Sequence, residues 1–243
     1  MAADLTMTGI TASRQQPKAP AGLGLDSERA RYGMVRRLEQ LGIRDPQVLD
    51  AMAAVQRHHF IEPALASRAY EDVALPIGYA QTISKPSIVS RMLEIALQPL
   101  PASERQGARA LEVGTGCGYQ AAVMSHLIGE VVSIVRVRAL HIQAQENLAA
   151  SEPGPGRVRL EFGDGHLGLI NSAPFHAIVV AAAFDAEIPE ALLHHLRIGG
   201  RLIAPVSRQG CQRLYVVDRS SQADWHLCEL DTVRFVPMRD GTG

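Results

Sequence analysis

Cysteine is scarce in this chain of 243 residues. There are three, Cys117, Cys211 and Cys228. An odd, widely spaced set without C-x-x-C argues against a disulfide framework and against a zinc site, and points to a reducing cytoplasm. No H-x-x-x-H occurs, and the histidine pairs His58-His59 and His194-His195 are adjacent. Neighbours diverge by about 100° on a helix or face opposite sides of a strand, so neither pair makes a chelate. No metal is expected. Charge of one sign is lacking too: the formal net charge is −1. With no aromatic-basic loop of the N-P-P-Y type, nothing points to a nucleic-acid partner or an anionic membrane. No apolar run approaches the ~20 residues of a spanning helix. Met1 to Leu23 has no apolar h-region and carries Pro17 and Pro20, so a disordered tail over residues 1–24 is expected rather than a secretory signal.

What is present is a chain with 47% hydrophobic and 20% charged residues, enough for one α/β domain with a sizeable core. The spacing predicts a helix over Ser27–Leu41, capped by Asp26 or Ser27 and stopped at Gly42. A second helix opens at Asp45-Pro46. Ala74 to Thr82 reads as an irregular loop or short hairpin. Ser84 is then expected to cap a helix with Pro86 just inside it, and Pro99 to Gly107 reads as a linker. From Ala108 the pattern alternates. Strands are predicted at Ala108–Val113, Val131–Val135, Val158–Phe162, Ala177–Ala182, Arg201–Val206, Arg213–Asp218 and Trp225–Val236. Helices fall at Gln120–Ile128, Ala139–Ala150 and Pro189–Leu196. Alternation of this kind implies a doubly wound, mostly parallel sheet with helices on both faces. The division expected is a helical substrate or cover region over 25–100 and a cofactor-binding sheet over 108–240, in one domain spanning 25–240.

In open α/β sheets ligands bind beyond the carboxyl ends of the strands. The first predicted strand ends in Gly114-Thr115-Gly116-Cys117-Gly118. Glycines at a strand-to-helix turn let backbone approach a ligand closely. The G-x-G-x-G spacing differs from the G-x-G-x-x-G of dinucleotide sites, which points to a nucleoside cofactor without pyrophosphate, S-adenosyl-L-methionine. The third strand ends in Gly163-Asp164-Gly165, where a carboxylate could accept from an adenine amino group. By itself this is also a plain Asp-Gly turn. The second ends in Val135-Arg136, where an acid would normally grip the ribose. Cys117 inside the turn is read as a packed thiol.

These pieces together resemble the protein-L-isoaspartate O-methyltransferase family, from about Ala30 to Asp240. The most specific match is Ala74-Leu75-Pro76-Ile77-Gly78-Tyr79-Ala80-Gln81-Thr82-Ile83-Ser84-Lys85-Pro86. Supporting matches are Val48 to Met52, Ala110 to Gly116, Gly163 to Gly165, Glu187 to Pro189, Gly199 to Leu202 and Val233 to Pro237. The resemblance implies a Rossmann-like, seven-stranded methyltransferase sheet and methyl transfer to isoaspartyl residues of damaged proteins and peptides. The methyl ester would then close to a succinimide unaided. Carried over residue by residue, Ser84 is the active-site serine. Thr82 and Ile83 line the cofactor, Gly114, Thr115, Gly116 and Gly118 take its methionine part, Asp164 and Gly165 its adenine, and Val135 and Arg136 stand at its ribose. The protein is expected to act as a monomer.

Four departures bear on this reading. Val135 stands where the family usually has Glu or Asp, and Ala80 where it usually has Gly. His176 follows Pro174-Phe175 in place of Asp, and Ala182 to Glu187 is one residue longer than usual. Val135 and Ala80 are the basis of an alternative, a degenerate relative that binds protein without methyl transfer.

Overall fold

A computed structural model of the chain describes residues 28–151 and 154–243. The expected tail and the expected cap of the first helix lie outside the described residues. Helix α1 spans Glu28–Gln40 and α2 spans Pro46–Ala54. Asp45 caps α2, accepting from the backbone N–H of Gln47 at 3.0 Å and of Val48 at 3.4 Å. Strands β1 (Leu75–Pro76) and β2 (Thr82–Ile83) pair antiparallel and turn the chain towards α3 (Pro86–Leu97).

The start of α3 corrects one expectation. Ser84 is not its cap. Lys85 occupies the cap position and makes no side-chain bond there. The orphan N–H of Ser87 is instead taken by Asp72 Oδ1 at 2.8 Å, while Ser87 Oγ donates to Asp72 Oδ2 at 2.8 Å. A carboxylate fifteen positions upstream thus does the work a local serine was expected to do. Ser84 is left with its hydroxyl uncommitted to the helix.

The expected linker contains a 3-10 turn over Ala102–Gly107. The remaining elements are β3 (Arg109–Val113), α4 (Tyr119–Ser125), β4 (Glu130–Val135), α5 (Arg138–Ala150), β5 (Arg157–Phe162), β6 (Phe175–Val180), β7 (Phe184–Asp185), α6 (Glu190–His194), β8 (Leu196–Arg208), β9 (Cys211–Arg219) and β10 (Trp225–Thr232). The main sheet runs β10-β9-β8-β6-β3-β4-β5, seven strands in a path, with the two-residue β7 added beside β8. Neighbours from β8 to β5 pair parallel, and β8-β9 and β9-β10 antiparallel. This is the doubly wound sheet expected.

Two boundaries differ for physical reasons. Strand β8 is longer than predicted at both ends, because β6 pairs with it already at Leu196 and β9 as far as Arg208. Strand β10 stops at Thr232 because its register with β9 slips between Glu229 and Thr232. The inner strands are apolar on both faces, as two-sided burial requires. Leu111, Val113, Ile178 and Val180 pack with Phe175, Phe184 and Leu192 on one face. Ala110, Val131, Ala177 and Val179 pack with Met52, Met92 and Val123 on the other. The carboxyl ends of β3, β4, β5 and β6 therefore open side by side, with the β1–β2 hairpin leading to the start of α3 beside them, while α3 itself packs on the sheet face against β6 and β8.

Candidate active site

A cleft of about 890 Å³, mouth included, lies at those carboxyl ends. Ile77 and Gln81 to Ser84 line it from the hairpin, Gly114 to Cys117 from the turn after β3, and Ile134 to Val137 from the end of β4. Gly165, Ala181 and the stretch Val236 to Arg239 complete it.

The glycine turn is built by its backbone. Gly114 N and Thr115 N both donate to Ile134 O, at 2.9 and 3.2 Å, so the turn folds over β4. Gly114, Gly116 and Gly118 have φ of +101°, +54° and +92°. Side-chain-bearing residues enter that region only with strain. A Cβ on Gly116 would lie 3.1 Å from Ile77 Cδ1, and one on Gly118 3.3 Å from Ala144 Cβ. Gly116 therefore keeps the floor of the cleft clear. Gly118 does not line the cleft; it lets α5 pack behind the turn.

Under the turn sits a carboxyl that the sequence reading passed over. Glu112 is completely buried in β3 and lines the cleft. Thr115 Oγ1 lies 2.6 Å from Ser133 Oγ, which in turn donates to Glu112 Oε2. Burial pushes the Glu112 pKa up to about 8, against the opposing hydrogen bond of Ser133 and the nearby Gln120 amide, so it holds a proton at neutral pH. Among the described residues, Glu112 Oε1 and Gln120 Nε2 have no partner of good hydrogen-bond geometry. The cleft wall thus carries two buried polar atoms, one on Glu112 and one on Gln120, still to be satisfied. Cys117 is buried beside them. Its pKa is pushed up to about 11 by burial, which makes it a packed thiol and not a nucleophile.

At the other end, Val135 closes β4 and is 6% exposed. Among the described residues no carboxylate lines the cleft beside it, and Arg136 turns its guanidinium to the carbonyls of Gly241 at 2.9 Å and Asp240 at 3.3 Å. Asp164 points the same way. Its Oδ2 accepts from Gly241 N at 2.6 Å, and its Oδ1 from His166 N at 2.9 Å. Burial would raise the Asp164 pKa. The bonds from His166 and Gly241 outweigh it and hold the carboxyl below its usual range.

Above the cleft, Ile77 N donates to Gln81 O at 3.0 Å and Gln81 N to Gly78 O at 2.8 Å. This folds Gly78, Tyr79 and Ala80 into a tight arch with φ of +86°, +53° and +54°. Ala80 holds a conformation that glycine enters freely, so the arch is strained there. Tyr79 is 62% exposed at its crest. The arch delivers half-buried Ser84, buried Ile83 and exposed Thr82 to the cleft.

The sequence profile described as Protein-L-isoaspartate(D-aspartate) O-methyltransferase (PCMT) matches residues 29–243. The chain belongs to this family. Similar proteins named protein-L-isoaspartate O-methyltransferase include one from Burkholderia ambifaria, 52% identical over 226 residues, covering 92% of this chain and 70% of that one. Another, from Bordetella avium, is 52% identical over 235 residues, covering 95% and 86%. A solved structure named protein-L-isoaspartate O-methyltransferase superposes with a TM-score of 0.75 at 27% identity, covering 88% of this chain and 67% of that one. One from Plasmodium falciparum, named for the same enzyme and solved with S-adenosyl-L-homocysteine, shares the fold. Its TM-score is 0.75 at 24% identity, covering 86% and 98%.

In family terms, the structure gathers Thr82, Ile83, Ser84, Gly114, Thr115, Gly116, Val135, Arg136 and Gly165 around one cleft. Gly118 and the Asp164 side chain stand behind its wall. Sequence reasoning missed Glu112, Gln120 and the stretch Val236 to Arg239. Glu112 was in view as the one acid inside an apolar strand. The others carry no local signal.

Proposed function

We propose that this protein transfers the methyl group of S-adenosyl-L-methionine to the free α-carboxylate of L-isoaspartyl residues in damaged proteins and peptides, initiating their repair. The observation that carries this is the opening of two motifs onto one cleft: the Gln81 to Ser84 arch on top and the Gly114 to Gly116 turn beneath. The cleft suits the cofactor. Its floor is free of side chains at Gly114 and Gly116, and its wall offers the unpaired Glu112 and Gln120 atoms. In this reading Glu112, Gln120 and the glycine turn hold the methionine part, and Val135 and Gly165 stand at the adenosine, with the Asp164 carboxylate behind them tying Gly241 and His166 in place. When bound, the cofactor supplies an electrophilic methyl group on a sulfonium.

The chain's own residues have little acid–base work to do. A free α-carboxylate has a reference pKa near ~3.5 and is already ionised at neutral pH. Ser84 donates its hydroxyl to one carboxylate oxygen and aims the other. Ile77, Ile83 and Val89 line the same cleft and exclude water. No feature of the described residues favours the non-catalytic alternative.

The test is incubation with radiolabelled S-adenosyl-L-methionine and an isoaspartyl peptide beside its aspartyl twin. Base-labile label on the isoaspartyl peptide alone is expected; binding of the cofactor without transfer would overturn the reading. Ser84→Ala should lower kcat by about 10- to 100-fold, the worth of a hydrogen bond to a charged group. It should leave Tm unchanged, because Asp72 and not Ser84 caps α3. We further infer a monomer working in the cytoplasm without nucleic acid or membrane. The near-zero net charge supports this, as do the three free cysteines, two of them exposed. No helix among the described residues is long and apolar enough to cross a membrane.

A further inference from the structure

After β10 the chain crosses the carboxyl ends of the parallel strands one after another. Gln212 of β9 grips Phe235 through both amide atoms, with Phe235 N donating to Oε1 at 2.6 Å and Nε2 donating to Phe235 O at 3.1 Å. Beyond β6, Ala183 N donates to Val236 O at 2.8 Å and Met238 N to Ala183 O at 2.7 Å. Met238 then packs partly buried in the core beside Gly165. Beyond β5, Gly241 N reaches Asp164 Oδ2 at 2.6 Å. Beyond β4, the Arg136 guanidinium takes the carbonyls of Asp240 and Gly241, and Gly243 N donates to Arg136 O at 2.8 Å. The middle of this strap is cleft wall.

The two ends of the strap are held differently. Up to Met238 the hold is main-chain pairing and a buried side chain. From Asp240 onward it is exposed hydrogen bonds to the Arg136 guanidinium and the Asp164 carboxylate, and a contact of Asp240 Oδ1 with His166 Nδ1 at 3.2 Å. Gly243 adds one main-chain pair, its N–H donating to Arg136 O and its carbonyl accepting from Arg138 N at 2.9 Å, and no side chain in this stretch is buried. Exposed backbone contacts with little apolar burial open first. The latch also stands on the residue next to Val135, where family members usually carry the carboxylate.

We propose that Arg136 is the latch of a strap over residues 238–243 whose outer end must release for the cofactor to enter and leave the adenosine end of the cleft. Arg136 is then a positioning residue, acting on the cofactor through the strap. The proposal rests on the methyl-transfer reading, which puts the adenosine between the ends of β4 and β5.

The experiment uses the full chain with two readouts. In the cofactor-free protein, the rate of trypsin cleavage after Arg239, followed by mass, reports strap opening. In the loaded protein, a chase of tritiated S-adenosyl-L-homocysteine reports its release. Arg136→Ala should speed both by about tenfold, the size expected for one lost charge-assisted hydrogen bond. The equilibrium affinity should move less, since entry and exit both quicken. Arg136→Lys should restore part of the difference. Gly241→Pro provides a second route. It removes the donor to Asp164 and cannot hold the φ of +67° found there, so it should mimic Arg136→Ala while lying outside every helix and strand. Unchanged cleavage and release in both variants would overturn the proposal. So would faster cleavage with unchanged release, or weaker affinity with unchanged cleavage. If the wild-type chain binds no S-adenosyl-L-homocysteine, the methyl-transfer reading fails, while the trypsin rates still decide whether Arg136 latches the strap.

Discussion

At the Glu112 end of the cleft the polar contacts are buried and come from neighbouring strands and the turn between them. Ser133, Thr115 and the backbone of Ile134 supply the contacts around the Glu112 carboxyl and the start of the turn. At the Asp164 end a local bond from His166 is joined by contacts from far along the chain, 77 positions from Asp164 to Gly241 and 105 from Arg136 to Gly241, and these long-range contacts face water. The first end is fixed when the sheet forms. The second is completed by a strap laid over it. Two parts of one binding site can thus differ in rigidity by construction: one is continuous with the core, the other is a late, solvent-exposed closure. Damage to the first should be abrupt and thermodynamic. Damage to the second should be graded and kinetic.

The comparison is tested hardest at Gly118. Valine there would have to adopt a φ of +92° and place its Cβ 3.3 Å from Ala144 Cβ and 3.4 Å from Leu148 Cγ. Left-handed strain in a β-branched residue and displacement of α5 should together cost about 3 kcal/mol. Calorimetry should show a Tm lower by roughly 6–12 °C for a chain of this size and no measurable S-adenosyl-L-homocysteine binding. Near-normal Tm with intact binding would show that the turn is not rigid.

Glu112→Gln probes the same end more gently. The folded-state pKa of Glu112 is raised to about 8, while its ordinary value is 4.5. Between those values the folded state keeps a proton that the unfolded state has lost. Stability therefore falls as pH rises through that window. Thermal scans of the wild-type chain should show Tm dropping by several degrees from pH 5 to pH 8. The amide variant should show a shallower slope. Equal slopes would place the ionised carboxylate in a solvated site and remove the contrast between the two ends.

What could be read from the sequence follows the same division. The glycine turn, the strand alternation and the Gln81 to Ser84 loop are local patterns, and local patterns dictate local backbone. Reading failed where a partner lay far along the chain. Ser84 sat at the usual cap spacing, yet Asp72, which follows two 3-10 turns at Arg57–Phe60 and Pro63–Arg68, brings its carboxylate to Ser87 and takes that role. Gly118 reads like its neighbours in the motif, but its role is set by Ala144 and Leu148 on α5. Arg136 read as a residue standing at the ribose, but its guanidinium goes to Asp240 and Gly241, more than a hundred residues on. Nothing in a stretch such as Met238 to Gly243 announces that it will cross a sheet.

At the strap end, Asp164→Asn should quicken the release of S-adenosyl-L-homocysteine by up to about tenfold in the chase, with a smaller change in affinity by titration calorimetry. It exchanges a charged acceptor for a neutral one. Tm should barely move, because the carboxylate ties down a surface strap and supports no core element. A Tm loss comparable to that of Gly118→Val would mean that the strap is part of the rigid frame after all.

Val135→Glu gives the smallest effect and the finest test. The new carboxylate would end β4 beside the Arg136 guanidinium, and it has two competing roles. In the cofactor-free protein it pairs with Arg136 and draws it from the carbonyls of Asp240 and Gly241. With cofactor bound it can accept from a ribose hydroxyl, which alone is worth about 1.5–3 kcal/mol. Burial of a charge at a site only 6% exposed, and the lost latch, offset part of that gain. The net expectation is about fivefold tighter S-adenosyl-L-homocysteine by calorimetry, together with faster trypsin cleavage after Arg239. Tighter binding with unchanged cleavage would mean that grip and latch are independent. Unchanged affinity with faster cleavage would mean that the strap already supplies what the missing acid would have given.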